Sequence, residues 1–410
     1  MNKLILIGNG FDLAHGLKTS YKDFIFWYLD VCFNGAGLYP NGHFYEDDFV
    51  RIEVTEHYRL IDLARKAGDK GISRFLYDIG LLSKYLNVGK FIKHFSASIG
   101  GDNPLSERYK DVLNLVAHDV IFKSSFFKKL IHTCLECGWV DIEHEYFKEL
   151  KSFRDSDNRF DYNKVDRVNR DLDYLKAKLE EYLSLQDAQF DHRSNFQLGK
   201  LLGQGFEEND FDPGITDDEL RSKLGKDFTD DKSKNIKHKA YVLNFNYTNT
   251  FYNYIREIKG NYFSHIEVNH IHGQLNNPNN PIIFGFGDEH DKEYLFFEEH
   301  NNNALFEHVK SYHYLKTSNY RNLIRFLNED YYQVLVVGHS CGLSDRTMFK
   351  EIFDHENCKS VKILHYKRAD GSTDFFDKTI NLGRHFTDKG RMRKLIVNFN
   401  EADAIPQFEK

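Results

Sequence analysis

The chain has 410 residues, 41% of them hydrophobic and 29% charged, which is long enough for one large core with a sizeable insertion or for two domains. A formal charge of −7 argues against binding nucleic acid through bulk electrostatics, and no apolar run reaches the length needed to span a bilayer. The first apolar strand begins at Lys3, which leaves no space for a charged and cleavable leader, so a cytoplasmic protein is expected. Five cysteines, Cys32, Cys134, Cys137, Cys341 and Cys358, form an odd and scattered set. Cys134-x-x-Cys137 lacks a second pair, so reduced thiols are expected rather than a zinc or redox centre.

The apolar run Lys3–Gly8 reads as a buried strand, closed by the turn Gly8-Asn9-Gly10-Phe11-Asp12. Glycines there let the backbone turn sharply and let amides approach a ligand where a Cβ would collide. The turn is not the dinucleotide fingerprint G-x-G-x-x-G, because its third glycine would fall on Leu13 and Gly16 comes too late. A purely structural strand-to-helix turn therefore remains open, with Asp12 orienting it by accepting backbone amides. Ser20 followed by Asp23 starts a helix near Tyr21 that runs through Phe24, Trp27 and Tyr28.

From 45 to 235 the sequence is charged and amphipathic, with helices expected at Glu56–Ala67, Lys110–Phe122, Phe126–Cys137, Asp141–Phe153 and Lys164–Tyr182. The stretch 205–237 is rich in Asp, Lys and Gly and reads as a mobile return loop. The expected organisation is an α/β core of 1–44 and 236–410 interrupted by a helical insertion, 45–235. Within it, Asp141, Glu143 and Glu145 suit a helix start by the dipole argument. Asp141 and Glu145 lie four apart and could instead hold a divalent metal, which keeps a metal-dependent nuclease or phosphohydrolase in view.

Strand patterns resume at Ala240–Phe245, Ile266–Ile271, Ile282–Gly285, Gln333–Gly338 and Val361–Tyr366. Strands that end in Gly, Asn or His and lead into helices imply a mostly parallel sheet with helices on both faces and ligands beyond the carboxyl ends. Asn244 and Asn246 share a face by the period of two, either capping the next helix or offering an amide to a ribose hydroxyl or a water. His270 and His272 share a face by the same rule, and Gly273 clears space beside the second imidazole, a general acid/base candidate. The His pair lacks a third metal ligand of convincing spacing. Gly338-His339-Ser340-Cys341-Gly342 matches a hydrolase nucleophile elbow, G-x-S-x-G, with Asp354 and His385 as loose triad partners. The preferred reading takes Gly338, Ser340 and Asp345 as contacts for phosphate or ribose.

Gly8-Asn9-Gly10-Phe11-Asp12 with Gly16-Leu17-x-Thr19-Ser20-Tyr21-x-Asp23-Phe24, then Trp139-Val140-Asp141-Ile142-Glu143, Asn244-Phe245-Asn246-Tyr247-Thr248, His272-Gly273, Phe284-Gly285-x-Gly287-Asp288 and Gly338-His339-Ser340 together resemble the bacteriophage abortive-infection AbiH family. The order of motifs is also similar to the wider sirtuin-like NAD-binding group. These resemblances imply a mostly parallel Rossmann-like (sirtuin-like) sheet flanked by helices, and an antiphage effector with NAD as ligand or substrate. They imply His272 and Asn246 as the residues that cleave the nicotinamide–ribose bond, and Gly8, Asn9, Gly10, Phe11, Asp12, Asn244, Gly338, Ser340 and Asp345 as the nucleotide site. Asn9 and Phe11 stand where the sirtuin-like group has small residues, and no four-cysteine zinc module is present, so protein deacylation and a structural metal are not implied. A phage-derived trigger and self-association complete the expectations, with a nucleotide sensor lacking turnover as the non-enzymatic alternative.

Overall fold

The structure, a computed structural model, describes residues 1–36, 44–54, 118–137, 140–189, 194–212, 214, 218, 238–259 and 262–408. The chain forms two compact units, one of Met1–Ser20, Leu150–Phe160 and Leu183–Lys410, the other of Tyr21–Glu149 and Asp161–Tyr182. Along the chain the described strands are β1 (Asn2–Ile7), β2 (Phe44–Glu46), β3 (Val50–Val54), β4 (His118–Phe122), β5 (His238–Asn244), β6 (Phe263–His270), β7 (Tyr332–Val337) and β8 (Cys358–Leu364).

The first unit is built on five parallel strands in the order β6-β5-β1-β7-β8. All six residues of β1 are buried, as a central strand covered on both faces requires. Its side chains alternate between two cores. Leu4 and Leu6 join Tyr241, Leu243, Val334, Val336 and Phe349 on one face, and Ile5 and Ile7 join Val242, Leu335, Phe251 and Tyr254 on the other. Full burial of each aliphatic side chain contributes about 1.5–3 kcal/mol, so these rows fix the register. The helices Asn9–Ala14, Phe196–Gly203 and Tyr252–Ile258 supply residues to the second core, while Asn319–Glu329 and Arg346–Asp354 supply the first. The chain moves outward from β1 through β5 to β6, then returns to β7 on the other side of β1. The strand order therefore reverses between β1 and β7, where an open α/β sheet places its ligand crevice. This is the α/β, parallel Rossmann-like class read from the sequence.

The segment Ile282–Gly285, expected as a strand, is not part of this sheet. It lies extended across the end of β6, with the Ile283 amide donating to the His272 carbonyl at 2.7 Å. Pro278 and Pro281 precede it, and proline offers no amide to a ladder.

In the second unit β2, β3 and β4 form an antiparallel sheet, so the inserted part is not wholly helical. His118–Phe122 was expected as the end of a helix and instead pairs with β3, because Val120, Ile121 and Phe122 favour a strand once a partner is present. The helix expected at Glu56–Ala67, residues 110–117, and most of the return loop lie outside the described residues. Helices do form at Ser125–Cys137, Ile142–Ser152 and Tyr162–Gln189. Asp47 anchors the sheet: one of its carboxylate oxygens accepts from the hydroxyls of Tyr28, Tyr45 and Tyr174 at 2.5, 2.8 and 3.0 Å, and the other from the Phe49 and Val50 amides.

Candidate active site

The glycine turn after β1 packs on the turn after β7. A Cβ on Gly8 would lie 2.5 Å from His339 Cα, and one on Gly10 would lie 2.7 Å from the Gly338 carbonyl oxygen. Gly338 itself has φ +69°, a conformation that glycine adopts without strain, and a Cβ there would strike the Phe11 amide. The glycines thus serve close approach between two backbones. Three of the amides are bonded inside the protein: Gly8 donates to Val337, Gly10 to Gly338 at 2.7 Å and Phe11 to Gly8. What remains outward is a rim of exposed Asn9 and Ser340 with the part-exposed Gly10 and Gly338. Asn9 is held there by Thr19, whose hydroxyl donates to its side-chain oxygen at 2.5 Å.

Asn244 and Asn246 support this turn from β5. The Asn246 amide donates to Asn244 Oδ1 at 3.0 Å, and Asn246 Nδ2 donates to the Gly8 carbonyl at 3.1 Å. Asp12 is fully buried and accepts from the Thr248 hydroxyl at 2.6 Å, while its other oxygen is buried with no hydrogen-bond partner. Burial pushes its carboxyl up to about 6, against the opposing hydrogen bond from Thr248.

His270 and His272 diverge because β6 ends at His270 and the chain turns before His272. His270 lies 3.2 Å from the Asn246 carbonyl and stacks on Tyr252. His272 turns toward Asp345 and Tyr314: its Nε2 is 2.9 Å from Asp345 Oδ1 and 3.1 Å from the Tyr314 hydroxyl. Lys310 Nζ, fully buried, donates to the same Asp345 oxygen at 2.9 Å. Burial alone would raise the Asp345 pKa, but the charges of Lys310 and His272 and the His272 hydrogen bond outweigh it, holding the carboxyl well below the usual range. Burial and the Lys310 charge depress His272 against the opposing pull of Asp345. An ionised carboxylate only accepts, so the His272 proton sits on Nε2 and Nδ1 is the basic atom. Beside this group opens a pocket of about 140 Å³ whose lining includes Asp345, Tyr314, Tyr320, Glu289 and Met348.

Ring contacts run from the rim toward His272: His339 lies against Gly8 and, tilted, 4.3 Å from the Phe245 ring, and Phe245 meets the His272 ring edge-on at 5.1 Å. The sequence drew attention to His272 and Asp345 singly. It did not reveal Lys310 and Tyr314, which a one-turn helix, Lys310–Tyr314, turns inward four residues apart.

The nucleophile-elbow alternative does not assemble. Ser340 is exposed, His385 Nε2 bonds the Cys341 carbonyl at 2.8 Å, and Asp354 bonds Thr387 and Lys350. Cys341 carries the unusual backbone of this turn, φ +52°, yet its thiol is buried and pushed up to about 12 by burial. In the second unit Asp141 Oδ1 accepts from the His144 amide at 3.0 Å, the bond of an N-cap, and Glu145 pairs with Lys148 at 2.7 Å. Cys32, Cys134, Cys341 and Cys358 are buried and in no disulfide. Among the described residues no helix is long and apolar enough to cross a membrane.

A doubly wound parallel sheet with a buried His–Asp–Lys set and a pocket at its carboxyl ends defines an α/β protein of the Rossmann-like class. The family model for bacteriophage abortive infection AbiH matches residues 4–366, and the chain belongs to this family, whose role is in phage abortive infection. No curated protein and no solved structure matches the chain.

Proposed function

We propose that this abortive-infection protein binds NAD or a related nucleotide at the carboxyl ends of the strands and hydrolyses its N-glycosidic bond. The observation that carries the reading is the His272 Nε2–Asp345 Oδ1 contact of 2.9 Å, buried beside a pocket at the strand ends. Asp345 fixes the tautomer, so His272 Nδ1 accepts a proton from water as the water oxygen bonds the anomeric carbon. The carbon–nitrogen bond breaks, and its electron pair leaves with the base. Phosphates lie along the outward rim of Asn9, Gly10, Gly338 and Ser340. Asn246, tied to the Gly8 carbonyl, is a positioning residue for that rim rather than a group that touches the reacting atoms.

Purified protein incubated with NAD should release nicotinamide, read by chromatography, and His272→Ala should abolish the release while the circular dichroism spectrum stays unchanged. Intact NAD with the wild-type chain, with and without an extract of phage-infected cells, overturns the reading.

A further inference from the structure

The pocket beside His272 has a composition that selects for charge. Tyr314 and Tyr320 stand with ring centroids 5.7 Å apart and planes within 11° of parallel, and Met348 and Leu315 add apolar surface. Two carboxylate side chains, Glu289 and Asp345, belong to the lining, which contains no lysine or arginine. Lys310 reaches Asp345 from a fully buried position and is not part of the lining. At about 140 Å³ the space is well below the 300–1,000 Å³ of pockets that hold drug-sized molecules, so it suits a single substituted ring.

We infer that this pocket takes a planar organic cation, an N-substituted pyridinium, and discriminates against the neutral ring of the same shape. The inference rests on the glycosidic cleavage proposed above and names the part of the substrate that enters the pocket. The Asp345 charge is met by Lys310, so it is the aromatic rings and the Glu289 carboxylate that attract a ring carrying positive charge, and Glu289 repels phosphate, which must lie elsewhere. When the glycosidic bond breaks, the electron pair passes to the ring nitrogen and the ring becomes neutral. Its attraction to Glu289 then disappears, which favours release of the product. Because the ring is most positive before the bond breaks, Glu289 stabilises the bound substrate more than the transition state: Glu289→Gln raises KM and raises kcat with it.

The test is calorimetric titration of the full chain with 1-methylnicotinamide, which is cationic, and with nicotinamide, which is neutral. The cation should bind at least about tenfold more tightly, and Glu289→Gln should bring the two within about twofold while leaving nicotinamide affinity unchanged. Tyr320→Leu should weaken both. Equal affinity of the two probes in the wild-type chain, or binding of neither at about 10 mM, overturns the inference. The titration needs no turnover. Cation selectivity without nicotinamide release from NAD would leave the pocket standing and overturn the hydrolase, and release without selectivity would do the reverse.

Discussion

On one face of the sheet Lys3 and Lys362 are buried beside Asp210 and Asp403, whereas beyond the carboxyl ends His272 and Lys310 are buried beside Asp345. Lys362 lies 3.3 Å from Asp210 and 3.6 Å from Asp403, and Gln333 Nε2 donates to Asp210 and to Ser360. Lys3 donates to the Gln204 carbonyl, and burial lowers its pKa to about 8 against the opposing charge of Asp210. Two ammonium groups meet two carboxylates there, and together they tie the segment around Asp210 and the turn Glu401–Asp403 onto β8. At the carboxyl ends a single carboxylate oxygen serves both His272 and Lys310, which leaves Nδ1 as the basic atom of His272, and Asp345 itself belongs to the lining of a pocket. Buried charge in the first cluster fastens chain segments, and in the second it sets the state of one nitrogen.

That contrast breaks most sharply at Asp345. Asp345→Asn removes the pure acceptor that fixes the His272 tautomer, so nicotinamide release should fall by about 10²–10⁴-fold. Lys362→Met should act the other way, leaving Asp210 and Asp403 without their counter-charge and costing about 3–5 kcal/mol of unfolding free energy in a urea titration. The folded fraction of Lys362→Met should keep its activity. Wild-type activity in Asp345→Asn would remove the division of roles between the two clusters.

Acid should separate two kinds of buried group. Burial lowers His15, His270 and His385 to about 4 and His339 to about 3, whereas an exposed imidazole in the unfolded chain titrates near 6.5. Their contribution is complete above about pH 6.5 and is lost as pH falls toward 3–4, because the unfolded state binds the protons first. Asp12 has the opposite sign. Its carboxyl, raised to about 6 from 3.8, costs stability above pH 6, and that cost disappears as pH falls. The midpoint of thermal unfolding should therefore drop between pH 6.5 and 4, and Asp12→Asn should steepen that drop while leaving stability at pH 7 equal or higher. A flat profile in both proteins would contradict these assignments.

The smallest effect is expected in the second unit. Asp141→Asn keeps an N-cap side chain and should change stability by about 1 kcal/mol or less, with nicotinamide release and chelator insensitivity unaltered. A chelator-sensitive nuclease lost in Asp141→Asn would move the chemistry to that helix start.

The five strands of the parallel sheet were legible because each is an apolar run stopped by a residue that a strand does not continue through, as in Val337-Gly338 and His270-Ile271-His272-Gly273. Asn244, His272 and Asp345 were visible as polar residues where such runs close. Which of them meet was not visible. Period two puts His270 and His272 on one face only while the strand continues, and β6 stops between them. Lys310 and Tyr314 lie on a single helical turn, too short to show a period, and the partner of each lies more than thirty residues away in sequence. The glycines of the first turn were read as letting amides approach a ligand, whereas the close approach found is between two backbones, which a sequence does not distinguish. The strand at His118–Phe122 was hidden because its partner β3 precedes a long charged stretch with helical periodicity.

Ile7 pairs with Asn244 on one side and with Val337 on the other, so the strand made first sits at the centre of a sheet whose neighbours are made last. Such long-range pairing is slow to form and cannot begin until the partners have left the ribosome. His272 and Asp345 meet across that same delay. A cell making this protein therefore carries nascent chains that lack the His272–Asp345 pair until synthesis has passed β7.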